Sequence, residues 1–206
     1  MASTSFNRAQ FIEELTSTSE VDFEEKALML FQYQATHNPI YSAYVASLGR
    51  DKKAIQQVTQ IPFLPIEFFK SHQVITGTRT ANEKVFESSG TTGKQTSKHY
   101  VQVLPFYDKV SQSFFEEIYG SLRDYHILAL LPSYLERDSS SLVHMVTHFI
   151  QQSGAGGFYL HDQQALMDQV AFLKKNTTQK ILVIGVTFAL LDVAQTYQPD
   201  WRGIMV

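Results

Sequence analysis

The sequence contains no cysteine, which excludes disulfide bonds, thiolate metal sites and a cysteine nucleophile within these residues. It contains no run of about 18 apolar residues, so no membrane partner is expected. Its 17 Lys and Arg and 20 Asp and Glu give a net charge of -3, and the scattered lysines argue against a nucleic-acid partner. The first eight residues lack the apolar core of a secretion signal, so we expect a cytoplasmic location.

The composition is that of a folded globular protein. At 206 residues, with 44% hydrophobic and 13% aromatic residues, the chain is long and apolar enough to bury a core.

Residues 1–80 show helical periodicity interrupted by proline. Apolar residues recur at helical spacing from Phe23 to Phe31, until Asn38-Pro39 ends the pattern. Asn38 as N-cap and Pro39 at the first helical position predict a second, short helix that stops at Gly49. Residues 61–72 are rich in aromatic side chains and broken by prolines, which predicts a buried, ordered segment without one regular element.

From residue 81 onward the pattern changes to alternating strands and helices. Strands are predicted at 99–103, 125–131, 157–160 and 180–186, and helices at 107–122, 141–152 and 163–175. This succession predicts an α/β fold in which a helical segment, 1–80, leads into a mostly parallel sheet with helices on its faces, 81–206. Residues 203–206 begin a further apolar strand, so we expect the natural protein to continue beyond Val206.

The most informative segment is a short loop that combines hydroxyls, glycines and a lysine, Ser88-Ser89-Gly90-Thr91-Thr92-Gly93-Lys94. Its glycines permit backbone angles at which successive N–H groups converge on an anion, while the hydroxyls and the lysine add donors and charge. A Walker-type loop is excluded, because Ser88 stands where its first glycine would be and Gln95 where its magnesium-binding hydroxyl would be. The remaining alternatives are another kind of phosphate loop and a flexible linker.

Three segments together resemble the acyl-protein synthetase family, the fatty-acid-activating component of bacterial bioluminescence reductase complexes, within the adenylate-forming enzymes. The first is 61–72, Ile-Pro-Phe-Leu-Pro-Ile-Glu-Phe-Phe-Lys-Ser-His, and the second is Phe86-Glu87 with the loop that follows it. The third is Leu131-Pro132-Ser133-Tyr134-Leu135-Glu136-Arg137, followed by Ser139-Ser140-Ser141-Leu142. The resemblance covers nearly the whole chain and implies the front part of the N-terminal domain of such an enzyme.

The resemblance implies an ATP-dependent ligase. A fatty or other carboxylic acid attacks the α-phosphate of ATP with Mg²⁺, pyrophosphate leaves, and the acyl group passes to a thiol; a reductase of acyl-CoA reductase type is the implied partner protein. The loop from Ser88 to Lys94 would bind the ATP phosphates and stabilise the departing pyrophosphate. In this family the thiol is a cysteine in the C-terminal part of the synthetase, so we expect the chain by itself to be inactive.

Two alternatives remain open. A phenylacetate-type acyl- or aryl-CoA ligase shares the loop and has threonine at the position of Thr96, and it differs in the final acceptor. A non-catalytic domain that retains the fold is the second alternative, because many acyl-CoA synthetases have Pro-Lys where this chain has Gln95-Thr96, and Lys98 cannot be assumed to replace that lysine.

Three other patterns contain residue types that can bind metals or ligands. His144 and His148 are four residues apart on a predicted helix, but a third metal ligand is not evident, so we interpret them as packing or surface residues. Glycines at 154, 156 and 157 follow a helix instead of a strand, which favours a helix stop over a dinucleotide loop. The resemblance implies two residues near the acyl pocket, Tyr134 and Ser140. Three further candidates follow a predicted buried strand, at whose carboxyl end a ligand could bind: Gly185, Thr187 and Phe188. Ser140 is equally well explained as a helix N-cap.

Overall fold

The computed structural model of the chain describes residues 6–14, 20–79, 83–89, 95–132 and 136–206. Within these ranges the fold is mixed α/β, with eight α-helices, five β-strands and two compact units, Met1–Tyr107 and Asp108–Val206. The division into 1–80 and 81–206 stays a prediction from the sequence pattern. No helix in the described ranges is both long enough and apolar enough to cross a membrane.

The N-terminal unit is built from helices and one hairpin. Its helices are α1 (Arg8–Glu14), α2 (Glu20–His37), α3 (Pro39–Ser47) and α4 (Phe68–Ser71), with 3-10 turns at Lys52–Ala54 and Val58–Gln60.

The break between α2 and α3 confirms the sequence prediction. Asn38 is the N-cap of α3, and its Oδ1 accepts a hydrogen bond from the Tyr41 backbone N–H at 3.1 Å. Pro39 occupies the first turn, where a missing N–H leaves no bond unmade. The chain leaves α3 through Gly49, whose φ of 64 is in the left-handed region that glycine tolerates.

The helices of this unit enclose a small apolar core that also anchors the proline-rich segment. The buried residues of this core are Phe31, Ala35, Tyr41, Val45 and Ile55, with Ile61 and Leu64 packed against them. The Tyr41 hydroxyl donates a hydrogen bond to the Pro62 carbonyl oxygen at 2.9 Å. Residues 61–65 are therefore held on the helices although they form no regular element, as predicted. The prediction that the segment 61–72 is buried is wrong, because the structure leaves the side chains of Phe63 and Ile66 73% and 67% exposed.

The phenol of Tyr41 predicts a loss of stability at alkaline pH. Burial, with a smaller contribution from Tyr44, raises the pKa of Tyr41 to about 12. An unfolded chain ionises tyrosine near pH 10, so the folded state loses relative stability as the pH rises from about 10 to about 12. We expect Tyr41→Phe to flatten this decline. Urea unfolding followed by far-UV circular dichroism between about pH 9 and 12 measures this decline. Tyr197→Phe, in the other unit, is the control.

The hairpin consists of β1 (Lys84–Glu87) and β2 (Lys98–Val101), which pair antiparallel in register from Lys84↔Val101 to Glu87↔Lys98. The strand predicted at 99–103 therefore exists, but it does not join a parallel sheet. Its partner is the neighbouring strand across the loop, in a two-stranded sheet of its own.

The remaining elements follow the predicted succession. They are α5 (Leu104–Tyr119), a 3-10 turn (Leu122–Asp124), β3 (Tyr125–Leu130), α6 (Ser141–Ser153), β4 (Gly156–Phe158), α7 (Gln163–Asn176), β5 (Lys180–Gly185) and α8 (Thr187–Tyr197). The largest boundary difference is in α5, which starts at Leu104 and stops before Gly120, where φ is 89.

The C-terminal unit is a three-layer α/β arrangement. Its sheet has the order β4-β3-β5, and both neighbours run parallel to the central β3. Alternate residues of β3 face opposite layers: Ile127 and Ala129 pack with α6, whereas Leu128 and Leu130 pack with α7 and α8. A strand buried on both faces has a continuous apolar sequence, which is why β3 was recognisable. The segment predicted to start a strand also pairs parallel with β5, through Leu182↔Met205.

Candidate functional site

The phosphate-loop sequence connects β1 to β2, and a pair of serines closes its base. The Ser88 backbone N–H donates to the Ser97 carbonyl oxygen at 3.1 Å, and the Ser97 N–H donates to Ser88 Oγ at 3.0 Å. Ser97 is buried. The backbone bond continues the hairpin ladder by one position and the Ser88 hydroxyl adds a second bond, so the ends of the connecting segment are fixed to each other.

The charged residues at the loop base are paired. Lys98 Nζ lies 3.6 Å from Glu87 Oε1, across the last register pair of the hairpin. Both side chains are partly exposed, so this ion pair contributes little to stability. The ion pair fixes the position of the Lys98 ammonium group, which Glu87 holds beside the ends of β1 and β2.

The family-like segment 61–72 braces the hairpin. The Phe69 ring stacks on the His99 ring with centroids 4.5 Å apart and an interplanar angle of 17°. Gln95 Nε2 donates to the Lys70 carbonyl oxygen at 2.6 Å. Helix α4 therefore contacts both β2 and the end of the loop, so two segments that carry the resemblance lie side by side.

The described part of the predicted phosphate site is small. Ser88 and Ser89 are exposed, and the Ser88 hydroxyl oxygen already accepts the bond from Ser97. Gly90, Thr91, Thr92, Gly93 and Lys94 lie outside the described residues. The assignment of ATP phosphates to these positions stays a prediction.

A second candidate location is the carboxyl edge of the parallel sheet. Helix α6, which follows β3, covers one face of the sheet, whereas α8, which follows β5, covers the other. The connections after these adjacent strands therefore leave toward opposite faces of the sheet. In open α/β sheets ligands bind at such a switch in direction.

Gly185 ends β5 at this edge, and close packing explains its identity. A Cβ on Gly185 would lie 2.9 Å from Leu130 Cβ and 3.0 Å from Leu190 Cγ. Leu130 is its register partner on β3, and Leu190 belongs to the first turns of α8. The absence of a side chain thus lets α8 lie close against β3.

We expect Gly185→Ala to lower the free energy of unfolding of the C-terminal unit by about 1–3 kcal/mol, because an extra methyl group overfills this contact. Urea unfolding followed by Trp201 fluorescence measures the change, since Trp201 packs against the same apolar cluster. Thr187→Ala changes an exposed residue two positions later and should shift stability by no more than about 0.5 kcal/mol. Equal effects of the two substitutions would contradict the packing explanation.

The other predicted acyl-pocket residues are distributed along the same edge. Thr187 and Phe188 start α8, and the Phe188 side chain is 74% exposed. Ser140 is the N-cap of α6, where its Oγ accepts from the Val143 N–H at 3.3 Å. Tyr134 lies outside the described residues. The capping bond accounts for Ser140 structurally, and the pocket assignment stays a prediction.

One pair at this edge was not recognised from the sequence. His161 Nε2 and Glu136 Oε1 lie 2.6 Å apart. Glu136 precedes α6 and His161 follows β4, so both are in connections that leave the carboxyl ends of neighbouring strands. That shared position was the available signal, because both residues come shortly after predicted strands.

The patterns that the sequence assigned to packing have structural partners. His144 Nε2 lies 2.7 Å from Asp108 Oδ1 and His148 Nε2 lies 3.1 Å from Gln112 Oε1, so both rings contact α5. In the described ranges, no group of three or more His, Asp or Glu residues is arranged to hold a metal ion. Gly154 is the C-cap of α6 with a φ of 72, as predicted for a helix stop.

Comparisons with known proteins give no assignment. No family model matches the sequence, and no curated protein matches it significantly.

Proposed function

We propose that this chain carries the ATP-phosphate loop of an acyl-adenylate-forming ligase, of the acyl-protein synthetase type, that activates a fatty or other carboxylic acid. The observation that carries the proposal is the placement of Ser-Ser-Gly-Thr-Thr-Gly-Lys on a hairpin whose base is closed by Ser88 and Ser97. Fixed loop ends favour anion binding, because donors held in place need no reorganisation when charge develops.

The local charge favours a polyphosphate. Residues 84–98 contain three lysines and one glutamate, a formal charge of +2, and the glutamate is paired with Lys98. Magnesium in ATP sites is bound mainly by phosphate oxygens and water, with one or two protein ligands. A loop rich in hydroxyls and without carboxylates is compatible with bound Mg-ATP, because the phosphates supply most of the oxygen ligands of Mg²⁺.

The loop residues would act on the leaving group. Mg²⁺ bound to ATP neutralises phosphate charge. The N–H groups and hydroxyls of residues 89–92 would donate to the pyrophosphate oxygens, and Lys94 would add a positive charge. Glu87 keeps Lys98 at the hairpin base, and α4 fixes the strand that carries it.

The test is carboxylate-dependent exchange of labelled pyrophosphate into ATP by the natural gene product that contains this chain. A panel of fatty and aromatic acids with Mg²⁺ and ATP should support exchange, and hydroxylamine should trap the corresponding hydroxamate. Saturable binding of Mg-ATP should accompany it. Failure of Mg-ATP to bind would overturn the phosphate-loop assignment.

A nucleotide-binding domain without catalysis is the second candidate. The observation that favours it is that the described side chains after Lys94 make structural contacts. Gln95 donates a hydrogen bond to the Lys70 carbonyl oxygen, and Lys98 is paired with Glu87. Position 96, where many acyl-CoA synthetases have a lysine, is threonine, and the Lys98 ammonium is held by Glu87. This candidate predicts saturable Mg-ATP binding with no exchange for any acid. Exchange with acyl transfer to coenzyme A would instead identify the CoA-ligase alternative.

A further inference from the structure

The N-terminal unit contains a cavity of about 310 Å³ that neither the phosphate loop nor the sheet edge includes. It lies among α1, α2, residues 74–76 and the chain that leaves β2. Its walls are mostly aromatic and aliphatic, and include Phe11, Ile12, Leu30, Val74, Ile75 and Phe106. Ligand pockets in proteins start at about this volume and combine apolar walls with a few polar groups.

The polar part of the lining is organised around Arg8. The Arg8 guanidinium donates through Nη1 to Gln102 Oε1 at 2.5 Å, and Gln102 Nε2 donates to the Thr78 carbonyl oxygen at 2.9 Å. Both bonds require the same orientation of the Gln102 amide, because only its oxygen can accept from a guanidinium. Gln102 therefore positions Arg8 at the cavity while using one of the five guanidinium N–H groups.

The charge of Arg8 is not neutralised by the described residues around it. None of the ion pairs among them involves Arg8. The hydroxyl-bearing rings of Tyr33 and Tyr100 also line the cavity, and Tyr33 is held by stacking on Phe6 at 4.1 Å. A planar cation beside apolar walls recognises a carboxylate that carries an apolar tail.

We propose that this cavity binds a small organic carboxylate, with its carboxyl group on Arg8 and its apolar tail between α1, α2 and residues 74–76. About 30 Å³ for each non-hydrogen atom, the share of a water molecule in the liquid, gives room for about ten such atoms. Octanoate and phenylacetate each have about that size. The ligand class is thus a medium-chain or arylacetic acid, and longer chains have to extend into solvent.

This site is separate from the loop and does not rest on the proposed ligase function. The loop joins β2 at Ser97, whereas Gln102 lies five residues further along an extended chain. At about 3.3 Å for each residue, the two positions are about 16 Å apart. The Arg8–Gln102 contact is therefore at the end of β2 opposite to the base of the loop.

Isothermal titration with sodium octanoate, in the absence of ATP, tests the site. We expect saturable binding to one site. Because Arg8 is exposed, Arg8→Gln should weaken this binding about 2- to 5-fold, the range for an exposed ion pair. Arg50→Gln, which removes an exposed arginine elsewhere in the same unit, should leave the affinity unchanged. Octanol should bind more weakly than octanoate, and with equal affinity to the wild type and Arg8→Gln.

A second variant tests the cavity itself. Val74→Phe adds volume to the wall and should abolish binding of octanoate and octanol alike, while Arg8 is kept. Retained octanol binding by Arg8→Gln shows that its cavity is intact. If octanoate fails to bind at millimolar concentration, if Arg8→Gln and Arg50→Gln weaken it equally, or if Val74→Phe leaves it unchanged, the proposal is wrong.

Discussion

Replacing Thr91 and Thr92 together with alanine is expected to slow carboxylate-dependent pyrophosphate exchange by about 100- to 1,000-fold, the effect typical of removing one well-placed oxyanion donor. Charge builds on the departing pyrophosphate, and hydroxyls fixed in the loop would stabilise it more than they stabilise bound ATP. The rate of exchange at saturating ATP and acid measures the effect. Binding of Mg-ATP should change much less.

The control is Thr59→Ala, which removes a hydroxyl from an exposed threonine in a 3-10 turn of the same unit. It should exchange at the wild-type rate. If the double variant exchanged pyrophosphate at the wild-type rate, neither hydroxyl would stabilise the departing pyrophosphate. A parallel loss of Mg-ATP affinity and exchange rate would mean that the hydroxyls bind the ground state as strongly as the transition state.

The largest stability effect is expected from Gly156→Ala, at about 3 kcal/mol or more in the free energy of unfolding of the C-terminal unit. Gly156 starts β4 with a φ of 143, and a Cβ there would lie 2.0 Å from the Ile127 carbonyl oxygen. The obstruction is backbone, so no side-chain rotation relieves it, and the unfavourable φ adds its own cost. Since a domain of this size is stable by about 5–15 kcal/mol, a large part of the stability would be lost.

The adjacent glycine provides a matched control. The nearest atoms to a Cβ on Gly157 would be those of the Tyr159 ring, at 3.5 Å or more, which is ordinary van der Waals contact, and the φ of Gly157 is not positive. Gly157→Ala should therefore be neutral within about 0.5 kcal/mol. Urea midpoints from Trp201 fluorescence compare the two variants. Equal midpoints would show that β4 can shift against β3 without loss of stability, and that the close approach of Gly156 to the Ile127 carbonyl oxygen does not require glycine.

The two glycines also show where sequence reasoning stops. The helix stop at Gly154 was predictable, because a glycine after an apolar-periodic segment is a local signal. The requirement for glycine at 156 was not, because it arises from the Ile127 carbonyl on a strand 29 positions away in the sequence. Nothing in the glycine run itself distinguishes position 156 from position 157.

Some features of the candidate site were also predictable from the sequence, whereas others required the tertiary structure. A phosphate-binding role was predicted for the loop from its composition, but the closure of the loop by Ser88 and Ser97 and the stacking of Phe69 on His99 required the hairpin register. The strand at β2 was predicted and its sheet was not, because alternation of side chains indicates a strand without naming its partner. The pair of Glu136 and His161 was missed for the same reason, since it depends on β3 and β4 being neighbours.

The sequence by itself determined the helix break at Asn38-Pro39, the apolar strands β3 and β5, the succession of α6, β4 and α7, and the loop on which the functional proposal rests. These features depend on capping, periodicity and composition, which act within a few residues. Tertiary structure alone decided the antiparallel hairpin, the order β4-β3-β5, the packing role of Gly185 and the cavity at Arg8. Each of these depends on residues that folding brings together from distant positions in the sequence. Local sequence patterns do not indicate which distant residues will be in contact.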